Sequence, residues 1–389
     1  MNSFIYNIPT KVYFGENQLG NLGKELTKFG KRVLLTYGGG SIKRSGLYDR
    51  VIAELRGAGM EIFELSGIEP NPRIDSVREG VKICKEQSVD VLLAVGGGST
   101  IDATKFMAAG ACVEHDPWEF FGANAKPIER ALPIVTILTL SATGSEMDTA
   151  GVISNLETGD KLGRLAQPLL PKVSFLDPTL TYSVSKYQTA CGIVDIMSHT
   201  MERYFTVCPD VPLTDSIAEA LLRSVIDAGK IVVQNSNDYN ARATLMWASS
   251  LSHNGLTSCG RENFLAVHQL EHAVSGEYDS VAHGAGLAVL FPAWAKYVYK
   301  YNVPRFAQFA RNVWGVVEDD DTLAAQKGIV AMAEYFVSIG MPSRLSEFGI
   351  EKGKEDRLAD LCTNGKTRSI KNYIPLGYKE VKEIFESCY

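Results

Sequence analysis

In the first half of the chain, short β-branched runs alternate with stretches of helical period. That alternation restricts the possible fold more than any other feature. Arg32–Tyr37 (RVLLTY), Glu61–Leu65 (EIFEL), Val89–Val95 (VDVLLAV) and Pro133–Leu140 (PIVTILTL) read as strands. Gly46–Gly57 and Arg73–Glu86 between them are amphipathic at helical spacing. Strand–helix–strand order at this spacing implies a parallel sheet with crossover helices. The strands are nearly all apolar, as expected when helices cover both sheet faces. Turn formers cluster at Asp177–Ser185, and beyond them strand-like runs nearly vanish. Ser185–Phe205, Leu213–Gln234, Asn240–Asn254, Phe264–Ser275, Leu287–Tyr299 and Leu323–Ile339 read as helices. The expected organisation is an α/β domain over 1–183 and an all-helical domain over 184–389.

Composition excludes several classes. The net charge of −6, from 39 basic and 45 acidic residues, lacks the basic excess of a nucleic-acid binder. No apolar run reaches the length of a membrane span, and the first residues carry no secretory pattern. Seven dispersed cysteines without a CxxC pair argue against a disulfide framework or zinc knuckle. A cytoplasmic protein with reduced thiols and no membrane partner is expected.

Two glycine runs follow two of the strands. Gly38-Gly39-Gly40-Ser41 follows LLTY, and Gly96-Gly97-Gly98-Ser99 follows LLAV and opens a helix. Consecutive glycines let backbone approach a bulky anion, and a helix N-terminus adds unpaired N–H groups and a favourable dipole. Tight β–α turns are the plainer explanation of one such run. Two runs at the carboxyl ends of two strands point instead to the edge where open α/β sheets bind ligands. Thr139-Leu-Ser-Ala-Thr-Gly-Ser-Glu146 ends another strand, and its hydroxyls suit hydrogen bonds to phosphate or carboxamide groups. Lys161 could add a positive charge there.

The helical half holds a different pattern. Asp195 and His199 stand at i, i+4 and share a helix face, and His268 and His272 repeat that spacing in HQLEH. His283 follows in AlaHisGlyAlaGly (282–286). A carboxylate and several imidazoles from separate helices suit a divalent metal. HQLEH differs from the zincin HExxH, so a metalloprotease is disfavoured. Only six histidines occur in the chain. His115 and His253 lack such neighbours and read as ordinary structural residues.

Together these residues resemble the iron-containing (group III) alcohol dehydrogenase family along nearly the whole chain. The matching segments are VYFG (12–15), GGGS (38–41), EPNP (69–72), GGGSxxD with Lys105 (96–105), TLSATGSE (139–146), GxxD…H (192–199) and HxxxH…HGAGLAVLFPAW (268–294). The butanol dehydrogenase and aldehyde reductase branch is the most similar. The resemblance implies a dehydroquinate synthase-like fold, with a dinucleotide-binding domain, a metal-binding domain and an active site in the cleft between them. It implies Asp195, His199, His268 and His283 as metal ligands, with iron(II) expected and zinc compatible. His272 would lie near nicotinamide and substrate. Gly96, Gly97, Gly98 and Ser99 would hold the pyrophosphate, and Gly38, Gly39 and Ser41 would lie along the cofactor. Thr139, Ser141 and Thr143 would contact the nicotinamide half, with Lys161 near the ribose and Asn71 and Asp102 at matching positions. A homodimer is implied, pairing through N-terminal strands such as Ser3–Ile8. One departure stands out: His268 to His283 spans one residue more than in relatives, in the segment EYDSVAH (277–283).

The expected activity is reversible hydride transfer between NAD(P)H and a primary alcohol or aldehyde such as butanol or butanal. An acid after the second strand would bind the adenosine 2′-hydroxyl and repel a 2′-phosphate. Here that segment has glycines and Ser41, with Lys43 and Arg44 nearby, which favours NADP(H) over NAD(H). Competing readings are a polyol or glycerol dehydrogenase of the same fold, a metal-dependent hydrolase and a non-catalytic nucleotide sensor.

Overall fold

A computed structural model describes residues 1–208 and 210–389. They form two compact units, Asn7–Val184 and Ser185–Tyr389, the latter joined by Met1–Tyr6. The first six residues therefore group with the helices rather than with the sheet. Asn2 donates its N–H to the Gly260 carbonyl at 2.8 Å, and the Met1 side chain lies against Gly260.

The first unit runs β1 (Lys11–Phe14), α1 (Leu22–Leu26), β2 (Arg32–Tyr37), α2 (Ser41–Arg44), α3 (Leu47–Gly57), β3 (Glu61–Leu65), α4 (Ile74–Glu86), β4 (Val91–Gly96), α5 (Gly98–Gly110), β5 (Ile134–Leu138), β6 (Ala150–Asn155), β7 (Asp160–Leu165) and β8 (Val173–Leu176). Six strands form one parallel sheet in the order β1-β8-β5-β4-β2-β3. Successive strand residues point to opposite faces. Leu34, Leu92 and Ile134 pack with Val77 and Val81 of α4 and Ala103 and Met107 of α5. Val33, Leu35, Leu93 and Ile137 pack with Leu22 and Leu26 of α1 and Val51 and Leu55 of α3. Both faces are thus covered, and the continuous apolar runs have their cause.

β6 and β7 form a separate antiparallel hairpin that the sequence expectation lacked. β6 is short of large apolar residues, β7 mixes charged and apolar types, and the turn between them rests on Gly159 at φ +70°. The hairpin is joined to the loop before α4 by pairing of Arg73 with Ser154.

The second unit contains α6 (Lys186–Tyr204), α7 (Pro212–Gln234), α8 (Tyr239–His253), α9 (Ala266–Glu277), α10 (His283–Val298), α11 (Val303–Trp314), α12 (Asp321–Ser338), α13 (Glu355–Cys362) and α14 (Tyr378–Glu386). α6 and α10 are buried along most of their length and form the centre of its core. That burial explains why polar residues on α6 matter: each needs an internal partner or a ligand. All seven cysteines are free thiols. Among the described residues no helix is long and apolar enough to cross a membrane.

Candidate functional site

In the first unit, strand order fixes where a ligand can bind. The connection leaving β2 leads outward to β3, whereas the one leaving β4 leads to β5 on the opposite side. β2 and β4 are neighbours, so their carboxyl ends flank the point where the order reverses, the usual ligand crevice of an open α/β sheet. The two glycine runs follow these two strands. Gly97 precedes α5, and no side chain caps that helix start. Thr100 donates its N–H to the Gly97 carbonyl at 3.1 Å, so the N–H groups of Gly98 and Ser99 are those left to an external acceptor.

The hydroxyl-rich segment after β5 lies beside the second run. Thr139 donates its N–H to the Gly96 carbonyl at 3.0 Å. Thr136 donates to Ser174 Oγ at 2.8 Å, and Ser174 donates to the Glu146 carbonyl at 2.6 Å, which anchors the far end of the segment. Asp102 on α5 accepts from Ser145 Oγ at 2.6 Å and from the Val152 N–H at 2.9 Å. Both its oxygens are thus engaged within the unit, and burial pushes its carboxyl up to about 6 despite Lys105 nearby. Lys161 on β7 donates to Asn71 Oδ1 at 3.0 Å, and Asn71 sits in a left-handed conformation at φ +55°.

The glycines differ in what they permit. A Cβ at Gly98 would lie 2.4 Å from Thr143 Oγ1, so internal packing alone requires glycine there. A Cβ at Gly39 would meet nothing within 4 Å, and Gly39 has no positive φ.

In the second unit, α6 carries Asp195 and His199, α9 carries His268 and His272, and His283 is the first residue of α10. Asp195 Oδ1 lies 3.6 Å from His199 Nδ1, 3.6 Å from His268 Nε2 and 3.7 Å from His283 Nε2. Tetrahedral ligands at about 2.0–2.2 Å from an ion lie roughly 3.3–3.6 Å from one another, so the spacings of His199 and His268 from Asp195 fit one divalent ion, and His283 stands just beyond that spacing. Asp195 Oδ1, His199 Nδ1 and His268 Nε2 are buried and have no hydrogen-bond partner. Three such atoms facing one point would be unfavourable without a ligand. Between His268 and His283 the chain turns where Val281 donates its N–H to the Tyr278 carbonyl at 2.9 Å.

Two glycines explain why HGAG stands at this helix start. A Cβ at Gly284 would lie 2.1 Å from the Cys191 carbonyl oxygen of α6. Glycine there lets the first turn of α10 press against α6, which brings His283 to Asp195. A Cβ at Gly286 would lie 2.9 Å from Glu271 Cγ, so that glycine makes room for a fully buried carboxylate.

Electrostatics separates the imidazoles. Burial, with His253, His268 and Arg203 nearby, holds His199 well below its usual pKa and so neutral. Burial also opposes charge on His268, but Glu202 and Asp195 outweigh it and hold that ring up at about 9.

Sequence reasoning missed three residues. Glu202 contacts His268 Nδ1, and Glu271 contacts His283 Nδ1. Glu202 was legible in principle: Asp195, His199 and Glu202 stand at i, i+4, i+7 on one face of α6. His253 corrects an expectation: its ring centroid is 4.1 Å from that of His199, so it belongs to the site's surroundings. His115 is in the first unit and packs on Phe120. His272 lies with its ring 5.6 Å from that of His283.

Known proteins resemble both units. A family model described as iron-containing alcohol dehydrogenase matches residues 9–178, and its C-terminal counterpart matches 189–389. NADH-dependent butanol dehydrogenase A of Clostridium acetobutylicum is 47% identical over the full length of both chains. The NADPH-dependent aldehyde reductase YqhD of Escherichia coli is 37% identical over 90% of each chain. The crystal structure of NADH-dependent butanol dehydrogenase A from Thermotoga maritima superposes with a TM-score of 0.96, at 38% identity, covering 100% of this chain and 99% of the other. With family models matching both units, this chain belongs to the iron-containing alcohol dehydrogenase family.

Proposed function

We propose that the protein is a metal-dependent NAD(P)H aldehyde reductase and alcohol dehydrogenase for short primary alcohols and aldehydes such as butanol and butanal. The observation that carries this reading is the convergence of Asp195, His199, His268 and His283, with three buried donor atoms that have no hydrogen-bond partner. A hydrolase would not account for the two glycine runs, and a nucleotide sensor would not need this donor set.

Asp195, His199, His268 and His283 would hold a divalent ion, iron(II) by family and zinc by donor type. When bound, such an ion supplies a Lewis acid that polarises a carbonyl oxygen. The protein's own groups do the rest. Gly96 and Gly97, with Gly98 and Ser99 in the first turn of α5, receive the pyrophosphate. Gly38, Gly39 and Ser41 lie along the cofactor, and neither packing nor conformation requires glycine at 39, which leaves close ligand approach as its reason. Thr139, Ser141 and Thr143 offer hydroxyls to the nicotinamide half, and Lys161 with Asn71 serves the ribose. Asp102 acts by positioning Ser145 and the hairpin. When bound beside these hydroxyls, a reduced nicotinamide would supply the hydride that the carbonyl carbon accepts, and the oxygen would take a proton. His272 is the proton relay, because an imidazole titrates near neutral pH.

Cofactor choice follows from the β2 end. Lys43 and Arg44 are the charges of segment 38–44 and favour a 2′-phosphate. Lys43 Nζ lies 4.8 Å from the centre of the Tyr48 ring, and Tyr37 and Tyr48 both donate to Glu64 at 2.9 Å. Glu64 thus offsets part of the local positive charge, and the Clostridium relative is named for NADH. The expected result is that kcat/KM for butanal reduction is higher with NADPH than with NADH. The reverse order would remove the NADP(H) preference without touching the reaction type.

A homodimer through the N-terminal segment completes the proposal. Phe4 and Ile5 are 53% and 95% exposed there. Sedimentation as a monomer would contradict it.

A further inference from the structure

Glu202 and Glu271 are the two buried carboxylates beside the donor set that the proposed reaction does not use. Each touches the ring nitrogen that points away from Asp195: Glu202 meets His268 Nδ1, and Glu271 meets His283 Nδ1. We infer that Glu202 and Glu271 are positioning residues that fix the ring orientation and tautomer of His268 and His283 for metal binding. The inference rests on the metal site proposed above.

An imidazole that gives one lone pair to a cation must carry its proton on the other nitrogen. A carboxylate at that nitrogen accepts the N–H, selects the tautomer and makes the ring a stronger donor. Here each carboxylate comes from a helix other than the one that carries its histidine. Glu202 on α6 reaches α9, where it also accepts the Val267 N–H in the first turn. That contact holds the start of α9, whose preceding residue Leu265 is in a left-handed conformation at φ +48°. Glu271 on α9 reaches the first residue of α10.

The two are not equivalent. The His268 side chain is 10% exposed and sits within its helix, whereas His283 is 25% exposed and begins its helix after a loop. His283 has less packing to hold its ring, so Glu271 does more of that work. Its own surroundings are built for the purpose: Glu271 is fully buried, and Gly286 leaves the space its side chain occupies.

The test compares Glu271→Gln with Glu271→Met on the full-length protein. Both substitutes are close to glutamate in size. Only Gln keeps an oxygen that accepts the His283 N–H. Cobalt(II) is the probe, since its visible d–d spectrum reports ligand geometry and its binding can be measured apart from turnover. The expected result is that Glu271→Met weakens cobalt affinity by about 10–100-fold and changes the d–d bands, while Glu271→Gln lies between Met and wild type. Equal affinity of the Gln and Met variants, or a Met variant within about twofold of wild type, would overturn the inference. If the Met variant fails to fold, as judged by circular dichroism, Glu202→Gln and Glu271→Gln decide the matter. Unchanged affinity and spectrum in both Gln variants would then overturn it. Wild type and Asp195→Ala are measured alongside. If wild type binds no cobalt, or Asp195→Ala binds it as well as wild type, the metal site itself fails, which is a separate outcome.

Discussion

His268→Ala abolishes divalent-metal binding and lowers butanal reduction by at least about a thousandfold, while NAD(P)H binding persists. The first effect follows from position. His268 Nε2 is one of three buried atoms without a hydrogen-bond partner, 3.6 Å from Asp195 Oδ1. The second follows from chemistry, because losing Lewis-acid stabilisation raises the transition state by several kcal/mol. The third follows from the division of the chain, since the glycine runs belong to the unit Asn7–Val184. The substitution also leaves the buried carboxylate of Glu202 without its imidazole, so some loss of stability accompanies it. Metal analysis, turnover and cofactor fluorescence titration read the three effects separately. His115→Ala, on the other unit, is the control and changes none of them. Full metal stoichiometry in His268→Ala would contradict the ligand assignment.

Gly284→Ala damages the same site without removing any donor atom. The new Cβ would lie 2.1 Å from the Cys191 carbonyl oxygen and 2.7 Å from its Cα, and backbone cannot move aside as a flexible side chain can. α10 must shift away from α6, taking His283 from Asp195. Overpacking of this kind destabilises by about 1–3 kcal/mol. A misplaced ligand should also weaken metal affinity by about tenfold or more. Gly20→Ala is the matched control, because a Cβ there meets nothing within 4 Å. Thermal unfolding and metal titration of the two variants check the prediction. Wild-type stability and affinity in Gly284→Ala would show that this helix contact does not set the site.

Much of this architecture is legible in the sequence because period and burial agree. The strand Arg32–Tyr37 and the helix ending at Glu86 are bounded in the structure as their patterns imply. The pairing of Asp195 and His199 on α6 is legible because helical spacing alone puts them on one face. Contacts between distant elements are not legible that way. His253 reaches His199 from α8, and Glu271 reaches His283 from α9, through packing that local pattern does not encode. The β6–β7 hairpin escapes for another reason: its alternation is weak, and its pairing depends on the turn at Gly159. The grouping of Met1–Tyr6 with the helices likewise rests on long-range contacts with Gly260.

The central claim is that Asp195 and the three histidines hold the ion on which aldehyde reduction depends. The most direct measurement strips the wild-type protein with a chelator and titrates iron(II) or zinc back anaerobically. Butanal-dependent consumption of NADPH is followed throughout. The account predicts negligible consumption in the stripped protein and recovery that saturates at one ion per chain. Undiminished consumption by protein shown to be free of metal would contradict it.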